Sequence, residues 1–225
     1  AAGMGDDANN RDKANVAMAL WKFGGLRMVG LLKMMLKSHG DKWHRASAAF
    51  ALGEVGGIHT IASLIEALED RAPEVRRNAI RSLGKTGDTE ISRQLITFLD
   101  DEDPFIRGNT LESLGTVDDE KNLDLILTKL SDERDPFVLG KAKICLEKIA
   151  VDKSPAIIGR MKKVFYSETQ QLKQMVVEIF EKHGSADVLP DLMNISRSGL
   201  SAELRKSAKR AAEAIRNRKT EEQNP

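Results

Sequence analysis

PEVRRNAIRSLGKTG, residues 73–87, returns twice downstream, as PFIRGNTLESLGTVD at residues 104–118 and PFVLGKAKICLEKIA at residues 136–150. The opening prolines, Pro73, Pro104 and Pro136, stand 31 and 32 residues apart. Following the closing Leu of each stretch outwards gives Leu20, Leu52, Leu83, Leu114, Leu146, Phe180 and Ala212, so seven copies of one segment fill nearly the whole chain. Self-similarity at a fixed period of this length marks a repeat array.

Each copy reads as a helix. Its proline suits a first turn, where no partner exists for an N–H, and Asp103 and Asp135 precede two of the prolines as caps. Asp41, Thr169 and Ser201 fall at the same cap position. Val75, Ile106, Val138, Leu172 and Leu204 stand eight residues before the closing residue, with Ala48, Ala79, Ala142, Val176 or Ala208 midway. That spacing draws one apolar stripe down a helix. Between copies run second amphipathic segments, such as LRMVGLLKMML from Leu26, IHTIASLIEAL from Ile58 and AIIGRMKKVF from Ala156, which predicts two antiparallel helices per repeat. Gly53, Gly84 and Gly115 follow the closing Leu and suit crowded packing or a tight exit.

The pattern Pro-x-Val-Arg-x-x-Ala-x-x-x-Leu-Gly resembles HEAT repeats of the short, phycobilisome-lyase-like subclass, over about residues 12 to 217. The resemblance implies an all-α fold: a right-handed α-α superhelix of about six helix pairs plus an N-terminal helix, with the second helix of each pair on the concave side. It also maps the family's ladder arginine onto Arg45, Arg76, Arg107 and Arg205, with Lys173 as a substitute and Leu139 as a departure. The expected organisation is a scar and polar lead-in at 1–10, one repeat domain at 11–217, and a disordered polar tail at 218–225, because RNRKTEEQNP carries no apolar stripe.

Composition narrows the function. With 35 basic and 34 acidic side chains, no whole-chain field would hold nucleic acid or an anionic membrane. No apolar run of 18 residues is present, and Cys145 has no second cysteine to pair with; a cytoplasmic protein is the expectation. Chemistry is hard to find. Deoxyhypusine hydroxylases, which share this kind of repeat, hold iron through His-Glu dipeptides, but none of His39, His44, His59 and His183 precedes a Glu. His44 takes the place of a stripe residue and reads as partly buried packing. Gly24-Gly25 and Gly56-Gly57 join helices rather than form a phosphate loop, and the acidic run Asp100 to Asp103 reads as a solvated loop. No catalytic residue, metal or cofactor is expected.

With the stripe facing inwards, positions two, three, six and ten residues after its first member face the groove. The candidate partner-binding residues are therefore Met18, Phe50, Arg77, Arg81, Lys85, Glu112, Ile144, Glu178, Lys206 and Arg210. Small residues at Ala46, Gly108 and Gly140 serve either close approach of a partner or tight packing of neighbouring helices. The expected function is a non-catalytic scaffold that binds a peptide or helix of another protein. Two other readings remain. Bilin lyases and bilin-handling proteins share the repeat subclass. The basic run Arg205, Lys206, Lys209, Arg210, Arg216, Arg218 and Lys219 could touch nucleic acid, although Trp21 and Trp43, the stacking residues such binding would use, lie at the other end of the sequence.

Overall fold

Among the described residues, the apolar stripes read from the repeat become the buried sides of helices. In the computed structural model of the protein, which describes residues 25–38, 40–117, 122–151, 154–166 and 169–223, all regular structure among the described residues is helical. The first expected copy, with Met18, Leu20 and Trp21, lies outside the described residues.

The chain forms two compact units, residues 1–117 and 118–225, where the repeat alone suggested one domain. Unit 1 holds α1 (Leu26–Ser38), α2 (Lys42–Val55), α3 (Ile58–Glu66), α4 (Pro73–Gly84), α5 (Thr89–Leu95) and α6 (Pro104–Val117). Unit 2 holds α7 (Leu123–Ser131), α8 (Pro136–Ala150), α9 (Pro155–Lys162), α10 (Gln170–His183), α11 (Leu189–Arg197) and α12 (Ala202–Gln223). Even-numbered helices are the repeated copies. Within unit 1, α2 packs on α4 and α4 on α6; within unit 2, α8 packs on α10 and α10 on α12. None of the described helices is long and apolar enough to cross a membrane.

The stripe explains these contacts. Val75, Ile106, Val138, Leu172 and Leu204 are buried, as are Leu52, Leu83, Leu114, Leu146, Phe180 and Ala212. Burying a Leu or Ile side chain contributes about 1.5–3 kcal/mol, so these rows supply the main drive for stacking. Three of the odd-numbered helices tighten at their C-terminal ends into 3-10 turns, Ala67–Glu69, Ile96–Asp100 and Lys163–Tyr166. Such turns satisfy end carbonyls with shorter loops. They also carry Leu68, Leu99 and Phe165 into the core, where the Phe165 ring meets Phe180 edge-on at 5.7 Å.

Caps follow the sequence closely. Asp41, Asp103 and Asp135 accept from the N–H groups of Trp43, Phe105 and Phe137 at 2.8–2.9 Å. Ser201 accepts from Leu204 N–H at 3.2 Å. Thr169 departs from the pattern: its hydroxyl donates to the Ser131 carbonyl at 2.9 Å and makes no cap bond to its own helix. The polar tail expected from residue 218 also needs correction, because α12 stays helical to Gln223. Arg218 explains the extension. Its guanidinium donates to the carbonyls of Glu181 at 2.5 Å and Gly184 at 3.1 Å, which closes the exposed end of α10 with a cation.

The arginine ladder is built in unit 1. Arg45 grips the Asp70 carboxylate with two parallel bonds, 2.7 and 2.8 Å, and donates to the Gly40 carbonyl at 3.1 Å. Arg76 donates to the Asp70 carbonyl at 3.0 Å and reaches Asp101 at 3.4 Å, and Arg107 donates to the Asp101 carbonyl at 2.8 Å. Each aspartate also folds its own loop by accepting an N–H two residues on, from Ala72 to Asp70 and from Asp103 to Asp101. The acidic run 100–103 is thus only partly a solvated loop: Asp101 is a rung and Asp103 a cap. In the third copy Glu133 takes over the loop role, accepting from Asp135 N–H at 2.8 Å, while Leu139 stands where the arginine would be.

Candidate functional site

The face of each even-numbered helix opposite its stripe carries the expected partner-binding residues. On α4 this face is a basic column, Arg77, Arg81 and Lys85, spaced one turn apart. At 1.5 Å rise per residue each step is about 6 Å. The two ends of the column are occupied. Arg77 lies over the Phe105 ring of α6, 5.5 Å from its centre, with Asp103 at 3.9 Å. Lys85 lies over the Phe50 ring of α2 at 5.3 Å and pairs with Glu54. Between them Arg81 is exposed, with no ion pair or side-chain hydrogen bond among the described residues. Glu112, on α6, is half-buried.

A third ring extends the arrangement. Trp43 of α2 has Lys42 above it at 5.0 Å, and Lys42 reaches across to Glu74 of α4 at 2.7 Å. Burial pushes the Glu74 carboxyl up, but the hydrogen bond from Lys42, a backbone hydrogen bond and the positive charges of Lys42 and Arg77 together bring it below its ordinary value. Trp43 and Phe105 were not among the expected site residues. The signal was present: both, with Phe137, directly follow the proline position of their copies.

Unit 2 carries the same face with its charges tied between helices. Lys143 of α8 reaches Glu178 of α10 at 2.5 Å, and Gln174 bridges Glu178 at 2.8 Å and Ser207 of α12 at 2.9 Å. Lys182 meets Glu147 at 2.7 Å and Arg210 meets Glu181 at 2.8 Å. Desolvation raises the Glu178 carboxyl, yet the bonds from Lys143 and Gln174 bring it below the ordinary range. Of the expected binding residues in this unit, Glu178 and Arg210 therefore brace neighbouring helices, whereas Ile144 (44% exposed) and Lys206 are open.

The small residues resolve differently. Ala46 and Gly108 are buried, so packing explains them, while Gly140 is exposed with open space around its Cα. A side chain at Gly53 or Gly84 would collide with Ser82 or Ser113 of the next copy. Those serines donate to the carbonyls of Ala49 and Ile80 at 3.0 and 3.1 Å, so the glycines are there for close helix contact.

Candidate chemistry is sparse in the described residues. Cys145 is fully buried, which pushes its thiol up to about 12 and removes the thiolate that a nucleophile needs. His44 is half-buried, its Nδ1 2.7 Å from Asp41. No group of three or more potential metal ligands gathers among the described residues. The basic run of α12 is partly spent: Arg210 on Glu181 and Arg218 on carbonyls of α10.

Comparison with known proteins agrees with this architecture. The family model for HEAT repeats matches residues 61–147, and the model for the PBS lyase HEAT-like repeat matches residues 45–70. No curated protein matches the chain in sequence. Among solved structures, the complex of CpcE and CpcF of phycocyanin lyase from Nostoc sp. PCC7120 superimposes with a TM-score of 0.52 at 19% identity, covering 90% of this chain and 88% of that one. A HEAT-like repeats protein from Thermococcus onnurineus NA1 gives 0.52 at 14% identity, over 92% of each chain. An engineered protein gives 0.54 at 19% identity, over 92% of this chain and 63% of the other.

Proposed function

Because the chain is a HEAT-repeat protein with repeats of the PBS-lyase-like kind, we propose that it is a non-catalytic scaffold holding a peptide or helix of another protein against the open faces of its even-numbered helices. The observation that carries this reading is the face of unit 1. There Arg77 lies over the Phe105 ring and Lys85 over the Phe50 ring, with Arg81 exposed between them, on the packed helices α2, α4 and α6. Aromatic and arginine side chains are the residues that most often anchor protein partners. Solvated charge alone would not place a guanidinium over a ring. The phycocyanin lyase relative was itself solved as a complex of two proteins, which fits a fold that works by association.

The test is affinity. A partner isolated by pull-down should bind Phe50→Ala and Arg81→Glu proteins roughly tenfold more weakly, the scale expected for losing an interfacial anchor. Circular dichroism should show helix content unchanged. Full affinity in both variants would remove this surface from the account. Bilin handling is the competing reading, suggested by the repeat subclass of residues 45–70. Mixing the protein with a free linear tetrapyrrole separates the two: a shifted visible absorbance band favours bilin handling, and an unshifted one favours the scaffold.

A further inference from the structure

Arg81 stands at the middle of the basic column, and the geometry around it restricts what can sit there. One turn towards the N-terminus of α4 the neighbouring cation, Arg77, lies over Phe105, which is 50% exposed; one turn towards the C-terminus Lys85 lies over Phe50. Both end cations already have carboxylates within reach, Asp103 at 3.9 Å for Arg77 and Glu54 for Lys85. Arg81 has neither ring nor carboxylate assigned to it among the described residues, and it is exposed. A guanidinium presents five donors in a planar fork that fits a carboxylate with two parallel bonds. The complement of this face is therefore one negative charge with an apolar group on either side of it, because Phe105 on α6 and Phe50 on α2 flank the column of α4.

We infer that unit 1 binds a protein segment carrying one Asp or Glu between two apolar side chains, with the carboxylate on Arg81 and the apolar side chains against the Phe50 and Phe105 positions. The reading rests on the scaffold proposal and narrows its partner and place. Nucleic acid fits less well. Its phosphates would pass Glu54 and Asp103 beside Lys85 and Arg77, and those carboxylates repel a regular polyanion while leaving room for a single carboxylate at Arg81. In unit 2 the corresponding charges Glu178 and Arg210 are closed into bonds between helices, which leaves Ile144 as an apolar contact without a central cation.

Selection from a displayed library of random 12-residue peptides on the full chain tests the inference. Selected peptides should carry an Asp or Glu with an apolar side chain on both sides of it. Changing that acid to Asn or Gln should weaken binding roughly tenfold, as should Arg81→Gln in the protein, because a charge-assisted fork is lost. Arg81→Lys, which keeps the charge without the fork, should fall between. Peptides selected without an acid, or binding unaffected by Arg81→Gln but lost in Ile144→Ala, would overturn the inference and leave the scaffold reading in place. Recovery of no peptide at all would count against both. A 12-nucleotide single-stranded DNA that binds as tightly as the best peptide, and loses that binding in Arg81→Gln, would reassign the face to nucleic acid.

Discussion

Asp70 shows how a single side chain can serve two elements. Its hydrogen bonds from Arg45 hold the carboxyl below the ordinary aspartate range, although burial works the other way. A lowered folded-state value means that the pair's stabilisation is present above the unfolded aspartate's pKa, near 4, and is lost as pH falls through the lower folded value. We therefore expect Asp70→Asn to cost about 2–3 kcal/mol at pH 7, the lower part of the range for breaking a buried pair because the site is not fully closed. The difference in urea midpoint between wild type and variant should narrow below pH 4. A gap of constant size down to pH 2 would mean that the carboxylate charge is not what matters. Cys145 yields a second expectation at this scale: a thiol pushed to about 12 by burial should ignore an aromatic disulfide reagent at pH 8 until urea unfolds the chain. The ladder arginines were legible because each holds a constant place in the copy. Their partners were not, since Asp70 and Asp101 lie in loops whose acidic composition looks the same whether a carboxylate faces water or a guanidinium.

At the scale of the helix, the spacing of apolar residues carried nearly all the information. Among the described residues, the apolar stripe residues quoted from the sequence are the buried ones, and the helix starts agree with the cap residues, Thr169 included, although its side chain makes no cap bond. What spacing does not carry is how closely two helices approach. Gly84 illustrates it: a Cβ there would lie 2.5 Å from the Ser113 Cβ and 2.8 Å from its Cα, although alanine is the better helix former by about 1 kcal/mol. We expect Gly84→Ala to destabilise by about 1–3 kcal/mol, as overpacking does, measured by chemical denaturation. A stabilised Gly84→Ala protein would show that the helices separate freely at this contact. The proposed binding face was legible in part for the same reason. Phe50, Arg77, Arg81 and Lys85 follow from the period, but Trp43 and Phe105 escape it, because one residue ahead of the stripe they fall outside the positions counted as facing a partner.

The whole molecule divides into two units that each hold their own helix stacks. In repeat arrays stability is approximately a sum of each repeat's own term and its contacts with immediate neighbours. Leu64, fully buried in α3, gives a way to see this. Leu64→Ala should cost about 2–5 kcal/mol locally. Hydrogen exchange should then speed most in residues 58–84, and less with distance along the chain. An equal rise in residues 26–117 and 122–223 would show that the protein opens as one cooperative block.

The glycine–serine contacts carry a consequence for how such a chain grows. Gly53 receives Ser82 and Gly84 receives Ser113, so residues 54–84 contain the serine half of one joint and the glycine half of the next. A tandem copy of those 31 residues would bring both matching halves with it, together with one arginine rung and its aspartate. Lengthening a helix stack by duplication therefore requires no new complementary surface, only another link cut to the same pattern.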